Sequence, residues 1–125
     1  MKTIKIEQYS EIPSYFTGIV VYPNGNKFWF KEGKWHREDG PAIEWRDGSK
    51  SWLKEGNLHR TDGPAKGWSS GTKEWYLEGE CYNNINLNNY VVLDSYKGKY
   101  NLTWYKLLTK DKVIEWPDIP GLIEK

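Results

Sequence analysis

The segment KEGKWHREDGPAIEW, beginning at Lys31, returns as KEGNLHRTDGPAKGW beginning at Lys54, an offset of 23 residues (54 minus 31). The offset holds over a wider frame. Gly25, Gly48 and Gly71 align, as do Lys27, Lys50 and Lys73, then Trp29, Trp52 and Trp75. Further along, Glu32, Glu55 and Glu78 align, followed by Gly33, Gly56 and Gly79. Upstream, Tyr22, Trp45 and Trp68 match. These are three copies, from about Ile19 to Tyr82, the third incomplete. A unit this short cannot bury an apolar face alone, so the copies must stack on one another.

Each copy reads as a β-hairpin. Asn24-Gly25, Asp47-Gly48 and Ser70-Gly71 are two-residue turn sequences, in which Gly and Asn or Asp tolerate positive φ. Pairing outward from such turns sets Tyr22 opposite Lys27, Trp45 opposite Lys50 and Trp68 opposite Lys73. Alternation along a strand then sorts the side chains into two faces. One face receives Val20, Tyr22, Lys27, Trp29 and Lys31 from the first hairpin. It takes Ile43, Trp45, Lys50, Trp52 and Lys54 from the second. The third adds Lys66, Trp68, Lys73, Trp75 and Leu77. The expected result is a ladder of aromatics alternating with lysines. The fold class is all-β: tandem antiparallel hairpins in one elongated twisted sheet.

Gly33, Gly56 and Gly79 are read as ending the second strand of each copy. In two copies an HRxDGPA run follows. The first contains His36, Arg37, Asp39, Gly40 and Pro41; the second contains His59, Arg60, Asp62, Gly63 and Pro64. Pro removes a backbone donor and Asp-Gly is turn-prone, so this run is the connection to the next hairpin. Its side chains are expected to fix that turn by hydrogen bonds and an Arg–carboxylate pair. The two histidines do not suggest a shared metal. They sit one repeat apart, ~9–10 Å from the strand spacing, against ligand distances of about 2.0–2.1 Å. A duplicated unit is also a poor candidate for an active site. The third copy departs to Glu80, Cys81 and Tyr82, as a terminal repeat must when it caps a stack.

The period, the order aromatic–turn–Gly–Lys–aromatic and the downstream Gly-x-x-His resemble a variant MORN repeat of the YwqK type, found in bacterial antitoxin proteins. The HRxDGPA form is similar to repeats in small proteins of phages and large DNA viruses. Arg37 and Arg60 stand where the standard MORN pattern has Gly. The resemblance spans residues 19–82 and implies the hairpin architecture. It implies a scaffold for partners, not one chemistry.

The chain of 125 residues is one domain's worth. Residues 1–18 are an N-terminal cap, with a strand over residues 3–7 that sets Ile4 and Ile6 on one face. Residues 83–89, NNINLNN, read as an Asn-rich linker, and 90–125 as a β-rich C-terminal cap. In that cap, strands are expected on both sides of Lys97-Gly98-Lys99, with Leu102, Trp104 and Tyr105 as core candidates. A last strand is expected at Val113, Ile114 and Trp116. LTWYKLLTK also allows a helix.

Lys plus Arg total 18 and Asp plus Glu total 17, leaving a net charge of +1. Duplex-DNA binders usually carry a clear basic excess. A single Cys81 excludes an internal disulfide and a multi-Cys zinc site. With no long apolar run and no apolar core in the first 16 residues, the expected chain is cytoplasmic, in a bacterial host, with no membrane partner. No phosphate-binding glycine loop or Ser/His/Asp arrangement is present, so no catalytic residue, metal or cofactor is expected, and the chain reads as a non-enzyme. The Lys–aromatic ladder is the partner-binding candidate: Tyr22, Lys27, Trp29, Lys31, Trp45, Lys50, Trp52, Lys54, Trp68, Lys73 and Trp75. Trp and Tyr are enriched in interface hot spots. The resemblance to phage proteins sharpens this to an inhibitor of a bacterial defence protein or ribonucleoprotein, of anti-CRISPR or other counter-defence type. An antitoxin or immunity protein facing a toxin is the second reading. A single-strand nucleic-acid or nucleotide binder is the third, because aromatic platforms with lysines suit stacked bases. An open hairpin edge also admits a homodimer.

Overall fold

The computed structural model describes residues 2–5 and 12–125. The protein is all-β, with strands joined by tight turns and, among the described residues, only three-residue 3₁₀ turns besides. β1 (Thr3–Lys5), β2 (Gly18–Val21), β3 (Lys27–Lys31), β4 (Lys34–Trp35) and β5 (Ile43–Glu44) lead into β6 (Lys50–Ser51). β7 (Leu53–Lys54), β8 (Asn57–Leu58), β9 (Lys66–Gly67), β10 (Lys73–Leu77) and β11 (Glu80–Tyr82) complete the repeats. A nine-stranded sheet runs β1-β2-β3-β5-β6-β9-β10-β11, with β4 beside β3; β7 and β8 pair separately. All three hairpins lie in this one sheet. β1 pairs parallel with β2, placing Ile4 beside Val20 at the edge of the first hairpin. Ile6 and Glu7, the rest of the expected first strand, lie outside the described residues.

The hairpin register differs by one residue from the expectation. Lys27 pairs with Val21, Lys50 with Glu44 and Lys73 with Gly67. The cause is the turn. In the first copy Gly25 N–H donates to Tyr22 O at 3.0 Å and Tyr22 N–H to Asn26 O at 3.0 Å, enclosing a three-residue loop. The same two bonds recur from Gly48 and Trp45, and from Gly71 and Trp68. Only the glycine has positive φ, +96°, +93° and +97° in turn. A two-residue turn of type I′ needs two such residues; a type I turn closed by one left-handed glycine needs one. The type I′ turns lie instead at Glu-Gly. Glu32, Glu55 and Glu78 have φ of 51°, 50° and 46°, each followed by a positive-φ glycine. They join β3 to β4, β7 to β8 and β10 to β11. The glycines read as strand ends are therefore second hairpin tips.

A one-residue slip moves every side chain of a strand to the other face. Trp29 stands beside Ile19, with Lys27 beside Val21, while Val20 faces Phe28. Tyr22, Trp45 and Trp68 accordingly leave the face of Trp29, Trp52 and Trp75. The single ladder becomes two half-ladders on opposite faces.

The chain after the repeats forms β12 (Ile85–Asn86), β13 (Val91–Lys97), β14 (Thr103–Leu108), β15 (Val113–Pro117) and β16 (Ile123–Glu124). β13, β14 and β15 make an antiparallel meander, and β12 pairs parallel with β16. LTWYKLLTK is strand, not helix: its partners on both sides extend it. The Asn-rich stretch expected as a linker is docked. Ile85 is buried, and its N–H donates to Leu122 O at 3.1 Å. The main C-terminal core gathers Trp75, Leu77, Tyr82, Ile119 and Leu122, with Trp104 and Trp116 against it.

Candidate functional site

Each HRxDGPA run is an excursion on the strand beside its tryptophan. Trp29 N–H donates to Ala42 O at 2.8 Å and His36 N–H to Trp29 O at 2.9 Å, so residues 37–41 loop out between two points of one ladder. The loop folds back over the indole. The Arg37 guanidinium lies 4.2 Å from the Trp29 ring centroid, and Arg60 lies 3.9 Å from that of Trp52. Arg37 Nε donates to Asp39 Oδ1 at 3.0 Å and Nη1 to Pro41 O at 3.2 Å. Arg60 repeats both bonds, to Asp62 at 2.7 Å and Pro64 O at 3.1 Å. The glycine of Asp-Gly is required by this closure: a Cβ on Gly40 would stand 2.7 Å from Arg37 Cζ, and one on Gly63 2.9 Å from Arg60 Cζ.

The histidines tie each copy to the next. His36 Nδ1 accepts from Glu55 N–H, and His59 Nδ1 from Glu78 N–H, both at 2.9 Å. The acceptor nitrogen must be unprotonated, so the ring proton sits on Nε2. In the first copy His36 Nε2 donates it to Glu38 Oε1 at 2.8 Å. Burial, reinforced by the Lys54 cation, holds His59 below the usual histidine range. The folded chain thus favours the neutral ring. This contribution is complete above the unfolded value of about 6.5 and is lost as pH falls through the depressed folded value. His59→Asn keeps an acceptor at the Nδ1 position and removes the titration. Its melting temperature is expected to fall less than that of the wild type between pH 7 and 5, measured by circular dichroism. Parallel curves would disprove the link.

The third copy has no HRxDGPA run, and the C-terminal segment takes its place. Tyr82 stands at the histidine position and makes edge contacts with Trp104 and Trp116, ring centroids 6.1 and 5.1 Å away. Trp75 Nε1 donates to Pro120 O at 3.2 Å, and Gly121 lies against the indole. Asn84 Nδ2 holds the same segment through Gly121 O and Leu122 O, at 3.0 and 2.9 Å.

These contacts place the expected ladder. Tyr22, Trp29 and Trp75 are buried, so they serve packing and offer no contact surface. Trp45 and Trp52 are half-buried, and only Trp68 is well exposed. Lys66 lies 4.1 Å over the Trp68 ring, whose Nε1 donates to Glu74 at 3.0 Å. Lys27, Lys31, Lys50, Lys54 and Lys73 remain exposed. The structure therefore does not bring the ladder together as one surface.

A surface the sequence reading missed lies on the meander. β13 is exposed along its whole length and pairs only with β14 among the described residues. Val91, Leu108 and Val113 are direct cross-strand neighbours and are 57%, 42% and 50% exposed. Leu93 is also exposed on β13, at a bulge between Val92 and Asp94; Val92 pairs with the buried Leu107 and so lies on the other face. A shallow groove of about 540 Å³ adjoins it, between residues 88–91 and 108–110. The apolar triplet VVL was legible as strand, but nothing in it told which side would stay bare.

A second pocket, about 380 Å³, opens between the two HRxDGPA loops, with Trp52, Lys54 and His59 in its wall. Tyr100, on the turn between β13 and β14, closes one side with its ring 5.1 Å from that of His59. Burial and a hydrogen bond to Glu78 push the Tyr100 phenol up to about 12. Among the described residues no group of three or more His, Cys, Asp or Glu is placed to hold a metal ion, and no helix is long and apolar enough to cross a membrane. No family model, curated protein or solved structure matches the chain.

Proposed function

We propose that the protein is a non-enzymatic protein-binding module whose contact surface is the exposed apolar face of the C-terminal meander. The row Val91–Leu108–Val113 carries this reading. Three large apolar side chains in direct contact, each about half exposed, are a surface that association with a partner would cover. The repeats then serve as a rigid support, because Trp29 and Trp52 are committed to arginine loops and Trp75 to the C-terminal segment. The same commitment disfavours a base-stacking platform, which needs open ring faces. Inhibition of a bacterial defence protein, the reading drawn from the repeat's likeness to phage proteins, and an antitoxin role are both cases of such binding. A second copy of the chain is a third kind of partner.

The test is a pull-down from bacterial lysate with the tagged wild type and the double variant Val91→Lys, Val113→Lys. Both sites are surface positions, so the melting temperature is expected to hold. The wild type should retain one protein at fixed stoichiometry in moderate salt, and the variant should lose it. Equal capture by both chains would remove the apolar face of the meander as the contact surface.

A further inference from the structure

The two HRxDGPA loops are near copies, and their differences fall on charge. In the first, Glu38 accepts from His36 Nε2, and Glu44 pairs with Arg37 Nη1 at 3.3 Å. Twenty-three residues on, these carboxylates are replaced by Thr61 and Gly67. His59 Nε2 consequently has no hydrogen-bond partner among the described residues, and Arg60 keeps one carboxylate where Arg37 has two. His59, Thr61 and Arg60 all line the 380 Å³ pocket. Lys54, which makes no ion pair among the described residues, and Arg37 line it too. Its two carboxylates are already engaged, Glu38 with His36 and Asp62 with Arg60. The pocket therefore presents an unpaired N–H donor and, in Lys54, a cation without an ion pair where the sister loop supplies its own carboxylate; Glu78, whose charge also acts on His59, is engaged by the Tyr100 hydroxyl.

We infer that this pocket binds a carboxylate side chain from an acidic segment of a protein partner. The incoming group takes the place that Glu38 holds beside His36: it accepts from His59 Nε2 and sits near Lys54 and Arg60. Charge-assisted bonds of this kind are the stronger class of hydrogen bond. Tyr100 forms a wall of the pocket, so the site joins the repeats to the turn of the meander. The inference rests on the protein-binding reading only for the source of the carboxylate.

The experiment is an NMR titration of the full chain with an acetylated, amidated tri-glutamate peptide, and separately with inorganic phosphate. The His59 and Tyr100 ring signals should shift with peptide, while those of His36, whose Nε2 is already occupied, stay in place. Thr61→Glu restores the internal carboxylate and should weaken peptide binding at least tenfold. Thr61→Val, of the same size as threonine but with no acceptor, should bind as the wild type does. No shift at millimolar peptide, or equal binding by the Glu and Val variants, overturns the site. Shifts with phosphate but not with peptide overturn the acidic segment as occupant. The titration uses no cellular partner, so its failure is separable from an empty pull-down.

Discussion

Trp75→Ala is expected to lower stability by about 3–5 kcal/mol, the usual cost of emptying a buried tryptophan site. In a domain of this size that is a fall of roughly 10–20 °C in melting temperature. Trp75 is 8% exposed and touches both parts of the chain. On one side it belongs to β10; on the other it packs with Ile119 and Leu122 and donates to Pro120 O. The loss should therefore be uneven. Amide exchange should accelerate most in residues 117–124, which depend on the indole for their seat, and less in β2 and β3 at the far end of the sheet. Trp52→Ala is the comparison. Trp52 occupies the same repeat position but is half-buried beneath Arg60. Its replacement should cost roughly 1–2 kcal/mol, because less apolar area returns to water. Equal losses at the two positions would mean that the C-terminal segment adds nothing to the third copy beyond what an arginine loop supplies to the second.

That comparison marks how far the sequence could be read. The 23-residue offset made the hairpin class and the stack legible, because the repeat of Gly, Lys and Trp admits few arrangements. The strands at Val91, Thr103 and Val113 were legible from their β-branched and aromatic runs. The register was not. Asn24-Gly25 serves a two-residue and a three-residue loop equally well, and the choice rests on whether Asn24 must adopt positive φ. The Glu-Gly turns went unread because a left-handed glutamate costs energy and carries no propensity signal. Here Gly33 N–H donates to Phe16 O, and Glu32 N–H to Thr17 Oγ1; the same pattern at Glu55 and Glu78 offsets the strain with bonds between copies. The ladder failed as a surface for a related reason. A tryptophan beside HRxDGPA looks open in one dimension, and only the path of the loop shows that the arginine returns to cover it. The replacement of a missing loop by Pro120 and Gly121 is a contact across 45 residues, beyond the reach of local pattern.

Arg37→Ala is expected to cost about 2–3 kcal/mol, more than its repeat equivalent Arg60→Ala. One guanidinium closes the whole excursion. It stacks on Trp29, accounts for Asp39 and Pro41 O, and reaches Glu44 from the next strand. Truncation strips all four contacts and leaves a partly buried carbonyl to find water, and bonds to charged groups are each worth more than neutral ones. Stacking adds roughly 0.5–2 kcal/mol, according to how dry the pair is; the Arg37 side chain is 23% exposed. Arg37→Lys should recover less than half of the loss, because an ammonium has neither the flat face for the indole nor the fork that spans Nε and Nη1. Arg60 makes the same stack and the same two short bonds, but Gly67 stands where Glu44 would be. Its replacement should be milder by about 0.5–1 kcal/mol, within the range of a partly exposed ion pair. Denaturant melts of the two alanine variants at low and high salt decide the matter. A gap that narrows at 1 M salt assigns the difference to Glu44. Equal losses at both salts would mean that the stack on tryptophan, which the two loops share, accounts for the whole effect.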